Sequence, residues 1–332
     1  MKKKNKAIYL LFLMPFVYFA TACFVVWLVK TSGIYPSGSD TMYHVYRGDY
    51  VYNAIKSGNW YPLYDPAWYN GVEILRYWSP FPAYVMAFCQ YLAGGSQFGA
   101  YLFYIGGVCF LGACVWPFIG RGFNRPYLGA FIGLLWFFMP NNLCAIFIEG
   151  NLARSLSMIF LPVFIYSVYK YLYNHKLRYI PLMVFTFLLM ELCHLGYAGM
   201  VAIAVIIYGI VYIIQKGRKK AALDVVISMI FGFMLLGIWL VASLRGGITS
   251  LDNSENMANF FQNLWITINP FERLTRGFEY FYFGFATLVV IVFGILFGYK
   301  KSRTGFVTGF IILLMTTKSA YAVLKHLPGS QY

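Results

Sequence analysis

Three residue types able to do chemistry stand close together early in the chain. Asp40, His44 and Arg47 lie in the run Ser-Gly-Ser-Asp-Thr-Met-Tyr-His-Val-Tyr-Arg that begins at residue 37. A carboxylate can take a proton, an imidazole can orient or move one, and a guanidinium can hold an anion. Ser39 or Asp40 suits a helix N-cap and Gly58 suits the position that ends a helix, so the spacing predicts a helix of about 16 residues between them. On such a helix Asp40, His44, Arg47 and Val51 follow one another at i, i+4, i+7 and i+11, along one stripe. The same spacing fits a capping Asp with His and Arg on a solvated face, and residue types alone leave both readings open. One Asp and one His fall short of the three or four ligands of a metal site. The segment therefore assigns no cofactor, and a divalent metal stays open.

The elements that must position these groups are read from hydropathy. The chain has 332 residues, of which 60% are hydrophobic and 11% charged. A soluble domain carries about 25% charged residues, so too few polar groups exist here to cover a globular surface in water. The apolar residues come in blocks of about 20, the length that crosses ~30 Å of hydrocarbon as a helix. No long segment alternates with period two, as a β-barrel strand would. The class is an all-α polytopic membrane protein.

Spanning segments are expected at 7–29, 97–119, 127–148, 153–173, 179–195, 197–215, 222–244, 280–299 and 304–325. The N-terminal run Lys2-Lys3-Lys4-Asn5-Lys6 has the look of a signal peptide. The apolar stretch continues through Phe24–Val29, too long for a cleaved segment, so it reads as the first span. The apolar stretch Pro80–Ala93 is short and suits an interfacial or re-entrant helix. If it does not cross, the basic turns Lys2–Lys6, Arg121/Arg125, Lys170/Lys176/Arg178, Lys216–Lys220 and Lys300/Lys301/Arg303 all fall inside. Together they hold sixteen of the 26 Lys and Arg. If it crosses, the later ones move outside, against the positive-inside tendency. The reading is therefore nine spans, N-terminus in the cytoplasm, with external segments at about 30–96 and 245–279. The net charge of +15 then reports topology and gives no reason to expect a nucleic-acid partner.

With that choice ten acidic residues fall on or near the outer side: Asp40, Asp49, Asp65, Glu73, Glu149, Glu191, Asp252, Glu255, Glu272 and Glu279. Only Asp224 lies inside. Aromatic residues crowd the first loop at Trp60-Tyr61, Trp68-Tyr69 and Tyr77-Trp78. An interfacial belt accounts for most of them, and a carbohydrate or polyprenyl ligand would use the same flat faces. The six cysteines lie in or beside apolar stretches without C-x-x-C spacing and read as small apolar residues. Glu191 and His194 sit together near the external end of a helix pair. Pro140 with Asn141-Asn142 breaks one span, with no symmetric partner in the sequence.

Gly38-Ser39-Asp40-x-x-x-His44-x-x-Arg47, with Gly58-x-Trp60-Tyr61-Pro62 and Tyr77-x-x-Pro80-x-Pro82 behind it, resembles the membrane proteins labelled "6-pyruvoyl-tetrahydropterin synthase-related". Gly150-Asn151-Leu152-Ala153 and Leu327-Pro328-x-x-Gln331 belong to the same likeness. More broadly the layout resembles the GT-C glycosyltransferase superfamily, in which one span leads into a long external loop with two juxtamembrane helices. Many GT-C enzymes carry paired acidic residues after the first helix, whereas Asp40 has no adjacent acidic neighbour. The resemblance implies one GT-C-like membrane domain over residues 1–332, continuing in the family past the end of this sequence, which is expected to be a fragment.

The resemblance further implies a transferase that moves a sugar from a polyprenyl-phosphate donor to a glycan or protein acceptor on the external face of the plasma membrane. No G-x-G-x-x-G or P-loop stands ready for a nucleotide. Asp40 is the expected base, Arg47 the phosphate partner with Arg76 or Arg154 as substitutes, and His44 orients Asp40 or contacts the sugar. Glu149, His194, Trp60 and Tyr77 are expected to line the substrate cavity. Asp49, Glu73 and Glu149 are the other carboxylates that could serve as base. Two other readings stand beside it: a transporter or flippase of lipid-linked saccharides, and a structural subunit of envelope-polysaccharide assembly.

Overall fold

The computed structural model describes residues 2–36, 38–68, 70–245 and 285–326. The expected second external segment, its four acidic residues Asp252, Glu255, Glu272 and Glu279, and the Leu327–Gln331 motif lie outside the described residues. The described chain is helical, and an isolated β-bridge joins Asp65 and Val72.

The helices are α1 (Lys2–Ser32), α2 (Thr41–Lys56), α3 (Ile74–Tyr77), α4 (Phe81–Leu92), α5 (Gln97–Gly122), α6 (Pro126–Trp136) and α7 (Pro140–Leu143). A π-turn (Cys144–Ile148) follows, then α8 (Leu152–Asn174), α9 (Tyr179–Cys193), α10 (Leu195–Lys216), α11 (Lys219–Leu235), α12 (Gly237–Arg245), α13 (Phe285–Met315) and α14 (Lys318–Leu324). Among the described residues, five segments are long and apolar enough to cross a membrane: Phe12–Ser32, Gln97–Gly122, Pro126–Ile148, Leu152–Asn174 and Leu195–Lys216. The bent pair α11–α12 would make a sixth. Phe12, Phe16, Phe19 and Trp27 of α1, and Phe131 and Phe138 farther on, stay exposed, as lipid-facing side chains do.

Two compact units emerge. The first comprises Met1–Met200 and Asp224–Gly246. Within it α5 packs against α1, α4, α6 and α8, and α8 packs against α9. The core is built on buried Tyr18, Tyr101, Tyr104 and Ile105. A buried phenol needs an acceptor: Tyr18 Oη donates to the Ala130 carbonyl at 2.8 Å, and Tyr104 Oη to that of Leu152 at 2.9 Å. The second unit comprises Val201–Leu223 and Gly247–Tyr332. There α13 kinks at Ser302, beside the basic run Lys300–Arg303. Thr304 Oγ1 donates to Gln215 Oε1 at 2.8 Å, and Thr317 caps α14.

Among the described residues three expected spans are broken, one of them 304–325, where α13 ends at Met315 and α14 starts at Lys318. The 127–148 stretch is interrupted at 137–139, where Pro140 cannot donate into the helix before it, and it closes through the π-turn. The 222–244 stretch bends by 64° at Leu236, between Gly232 and Gly237. The bend at Leu236 is thus a further break besides Pro140, one without a proline.

The first loop folds onto α4. Gly48 lets α2 approach Met86 closely, since an added Cβ would lie 2.2 Å from Met86 Cγ. Gln90 Nε2 donates to Asp49 Oδ1 at 2.6 Å, and Tyr46 Oη to Asp65 Oδ2 at 2.6 Å. α4 has 12 residues; at ~1.5 Å per residue it is roughly 18 Å long, short of a ~30 Å hydrocarbon core.

Candidate functional site

Three connections meet at one end of the first unit. α1 leads into the turn before α2, the π-turn leads through Glu149–Asn151 into α8, and His194 alone joins α9 to α10. The α2 turn is seated on the second connection. Asp40 N–H donates to the Glu149 carbonyl at 2.9 Å, and Ser39 Oγ donates to the same oxygen at 3.0 Å. Gly150 has φ +67, and its missing side chain leaves the space that Gly38 and Thr41 occupy. The Gly38 and Gly150-Asn151 motifs are thus two halves of one close contact.

α2 presents the expected stripe. His44, Arg47 and Val51 are buried on the face turned to the bundle, and Asp40 is half-buried at its start. Asp40 holds the N-cap position, yet its side chain makes no capping bond. The carboxylate accepts only a long 3.3 Å bond from Ser39 Oγ.

Arg47 organises the interior of the site. Its Nη2 contacts His44 Nδ1 at 3.0 Å, its Nε donates to the Tyr43 carbonyl at 3.2 Å, and its guanidinium lies 5.0 Å over the Trp78 ring. A guanidinium can only donate, so His44 Nδ1 accepts and its proton sits on Nε2. Burial, then Arg47, then His194 hold His44 well below the ordinary histidine range. Burial draws Arg47 down to about 10, against the opposing pull of Asp40, so it stays charged at neutral pH.

His194 is used in a similar way. Tyr197 N–H donates to its Nδ1 at 3.0 Å, which caps the first turn of α10 and leaves the ring proton on Nε2. Nε2 lies 3.3 Å from Asn151 Nδ2, while Asn151 Oδ1 accepts Arg154 N–H at 3.0 Å and caps α8. Burial first, and Arg154 next, lower the His194 value. Glu149 sits beside them, its Oε2 2.7 Å from Arg154 Nη2 and its Oε1 accepting from Cys144 Sγ at 3.4 Å. The Arg154–Glu149 charges touch without the alignment of a hydrogen bond, and Arg154 Nε is buried with no hydrogen-bond partner.

The arrangement has chemical consequences. Both histidines have their acceptor nitrogen occupied, so neither can take a proton as it stands. Glu149 is paired with Arg154, Asp49 accepts the Gln90 amide, and Glu73 pairs with Arg76. Asp40 is the carboxylate of this group with the weakest engagement. Arg47 and His194 feel the Asp40 charge, and the Asn151 amide and Arg154 stand beside His194 and Glu149. That set can hold an anion next to a base.

The remaining expected residues lie differently. Arg76 is spent on Glu73 and on the Ala242 carbonyl, at 2.9 Å, which ties α3 to α12. Trp60 is 71% exposed, and its carbonyl accepts from Tyr84 Oη. Tyr77 lies edge-on to Trp78, with centroids 6.3 Å apart. Among the described residues no group of three or more His, Cys, Asp or Glu gathers as metal ligands. The sequence reading missed two features: Asn151, and the parallel stack of Tyr43, Trp68 and Trp78 at 5.5 and 5.6 Å, which ends under Arg47. Trp68 and Trp78 stood in the aromatic runs assigned to a belt.

A family model described as "6-pyruvoyl-tetrahydropterin synthase related domain; membrane protein" matches residues 75–332. That stretch takes in Glu149, Asn151, Arg154 and His194, while Asp40, His44 and Arg47 precede it. The comparisons with curated proteins and with solved structures gave no match.

Proposed function

The chain belongs to the 6-pyruvoyl-tetrahydropterin synthase related family of membrane proteins, and from that premise we propose that it is a GT-C-type membrane glycosyltransferase. It takes a sugar from a polyprenyl-phosphate donor and places it on a glycan or protein acceptor at the extracytoplasmic face of the plasma membrane. The observation that carries this reading is the seating of Asp40 on Glu149–Gly150, on the same end of the bundle as buried Arg47 and half-buried Arg154. It supports a base and an anion site side by side at one end of an apolar bundle.

In this mechanism the acceptor hydroxyl oxygen attacks the anomeric carbon while Asp40 takes its proton. The bond from that carbon to the phosphate oxygen breaks, and the lipid phosphate leaves with the electron pair. Arg47 and Arg154 stabilise the leaving phosphate, Arg154 through the Nε–H that has no partner in the resting state. His44 donates its Nε2–H to the sugar or phosphate and cannot compete as base. The donor's tail stays in the bilayer, which suits a site at the end of the spans. We place this end outside and the basic turns inside, in a single domain of nine spans.

The test is a transfer assay with the purified full-length chain in liposomes, offered a polyprenyl-phosphate sugar with a labelled sugar. Labelled glycan in an added acceptor fraction supports the reading, and an unchanged donor pool over every acceptor class contradicts it. A specific observation favours a second reading, a transporter: the α11–α12 break beside the buried carboxylate Glu191. Movement of the intact labelled lipid between leaflets, without transfer, would establish that one.

A further inference from the structure

Glu191 takes no part in the site described above. It lies in the last turn of α9 with 1% of its surface exposed, and its Oε2 has no hydrogen-bond partner. A buried carboxylate left unpaired is costly enough to need an explanation. The elements packed around it offer no charge. α8 gives Ser157 Oγ to the neighbouring Met190 carbonyl at 3.2 Å, and Ser79 Oγ, just before α4, donates to the backbone carbonyl of Glu191 at 3.1 Å. His194, three residues on, is committed to Tyr197 and stands beside Asn151. The carboxyl faces α11 instead, with Oε2 3.7 Å from the position a Cβ on Gly232 would take.

That neighbour is informative. Gly232 is in the last turn of α11, which stops at Leu235 before the 64° bend. The Gly232 and Phe233 carbonyls there accept from Leu236 N–H at 3.3 and 3.1 Å. An ionised carboxylate in this place would be buried and unpaired, whereas a neutral carboxylic acid has no charge to solvate.

We propose that Glu191 and the broken end of α11 form a proton-binding site, in which the carboxyl rests protonated and exchanges its proton independently of the Asp40 group. Its ligand class is the proton. Its position against the last turn of α11, just before the bend, makes the α11–α12 joint the element that feels its charge state, because ionising the group would demand solvation there.

Dicyclohexylcarbodiimide tests this with the full-length chain in liposomes. The reagent is apolar and adds a protonated carboxyl across its C=N bond, giving an acylurea with no leaving group. The expected result is one adduct, on the peptide holding Glu191, at neutral pH, lost at high pH and absent in Glu191→Gln. The Gln variant, an uncharged isostere, should keep the wild-type thermal midpoint at acidic pH, where the carboxyl is protonated folded and unfolded, and should lack the fall in midpoint that the wild type shows as pH rises above the ordinary carboxylate value. Labelling spread over half-buried carboxylates such as Asp40 and Glu73 with none at Glu191 would overturn the proposal. So would a large fall in stability for Glu191→Gln, since that would mean an ionised, partnered carboxylate.

Discussion

Replacing Gly150 by alanine is expected to unseat Asp40 without touching it. A Cβ at this position would lie 2.2 Å from Thr41 Oγ1, 2.6 Å from Thr41 N and 3.1 Å from Gly38 Cα. Two of these are backbone atoms, so a rotamer change cannot relieve the contact. The φ of +67 adds its own cost, about 1–2 kcal/mol for a side chain in the left-handed region. Overpacking adds ~1–3 kcal/mol, and loss of the Asp40 N–H to Glu149 hydrogen bond about 1 kcal/mol. The total, roughly 3–6 kcal/mol, corresponds to a fall on the order of 10 °C by the ~2–4 °C per kcal/mol of mid-sized domains. Gly33 supplies the control: its φ is +69, with nothing within 4 Å of an added Cβ, so Gly33→Ala carries the dihedral strain alone. Thermal midpoints of both variants in detergent measure the difference, and hydrogen exchange at the Asp40 amide locates it. Equal midpoints, with Asp40 still protected in Gly150→Ala, would refute the seating argument.

Arg47→Lys keeps a charge and loses the fork that reaches both Tyr43 O and His44 Nδ1. One charged hydrogen bond of ~1.5–3 kcal/mol predicts a ten- to hundredfold fall in transfer, and unchanged turnover in the liposome assay would remove Arg47 from the site. His194→Ala removes the α10 cap and is expected to cost about 1 kcal/mol, which His194→Asn restores because Asn is itself a good cap; equal denaturation midpoints for the two variants would speak against the capping role. Burial lowers both His44 and His194. The folded state therefore binds fewer protons than the unfolded one. The stability this contributes is complete above the ordinary value of about 6.5 and is lost as pH falls through the lowered values. Melting scans from neutral to mildly acidic pH should show that loss, and His44→Gln should reduce it; a wild-type midpoint that does not move would contradict the neutral-ring assignment.

Much of this was legible because local rules coincide with the tertiary answer. α2 could be placed from Gly58 and from a stripe that ends in Val51, which is fully buried. The short α4 could be separated from the spans by its length, and the charge of the later turns argued that it does not cross. The residue 40, 149 and 194 connections meet through the Asp40–Glu149 and Asn151–His194 contacts. Other features depend on partners far away in sequence. Arg76 was a free cation on paper, and it is captured by a carbonyl 166 residues away. Ser39 or Asp40 suited the cap; Asp40 takes that position, but the Glu149 carbonyl, far along the chain, holds its N–H and the side chain makes no capping bond. The bend at Leu236 has no proline to announce it. The Tyr43–Trp68–Trp78 stack depends on a loop path fixed by Asp65 and Val72.

The proposed role of Asp40 is the point on which the account turns, and single-turnover transfer by Asp40→Asn in liposomes tests it most directly. The exchange keeps the shape of the side chain and the backbone N–H that binds Glu149, so folding and donor binding are expected to match the wild type. Loss of the base is expected to lower the chemical step by about 10²–10⁴-fold. A variant that folds, binds donor and transfers sugar at the wild-type rate would contradict the assignment of Asp40.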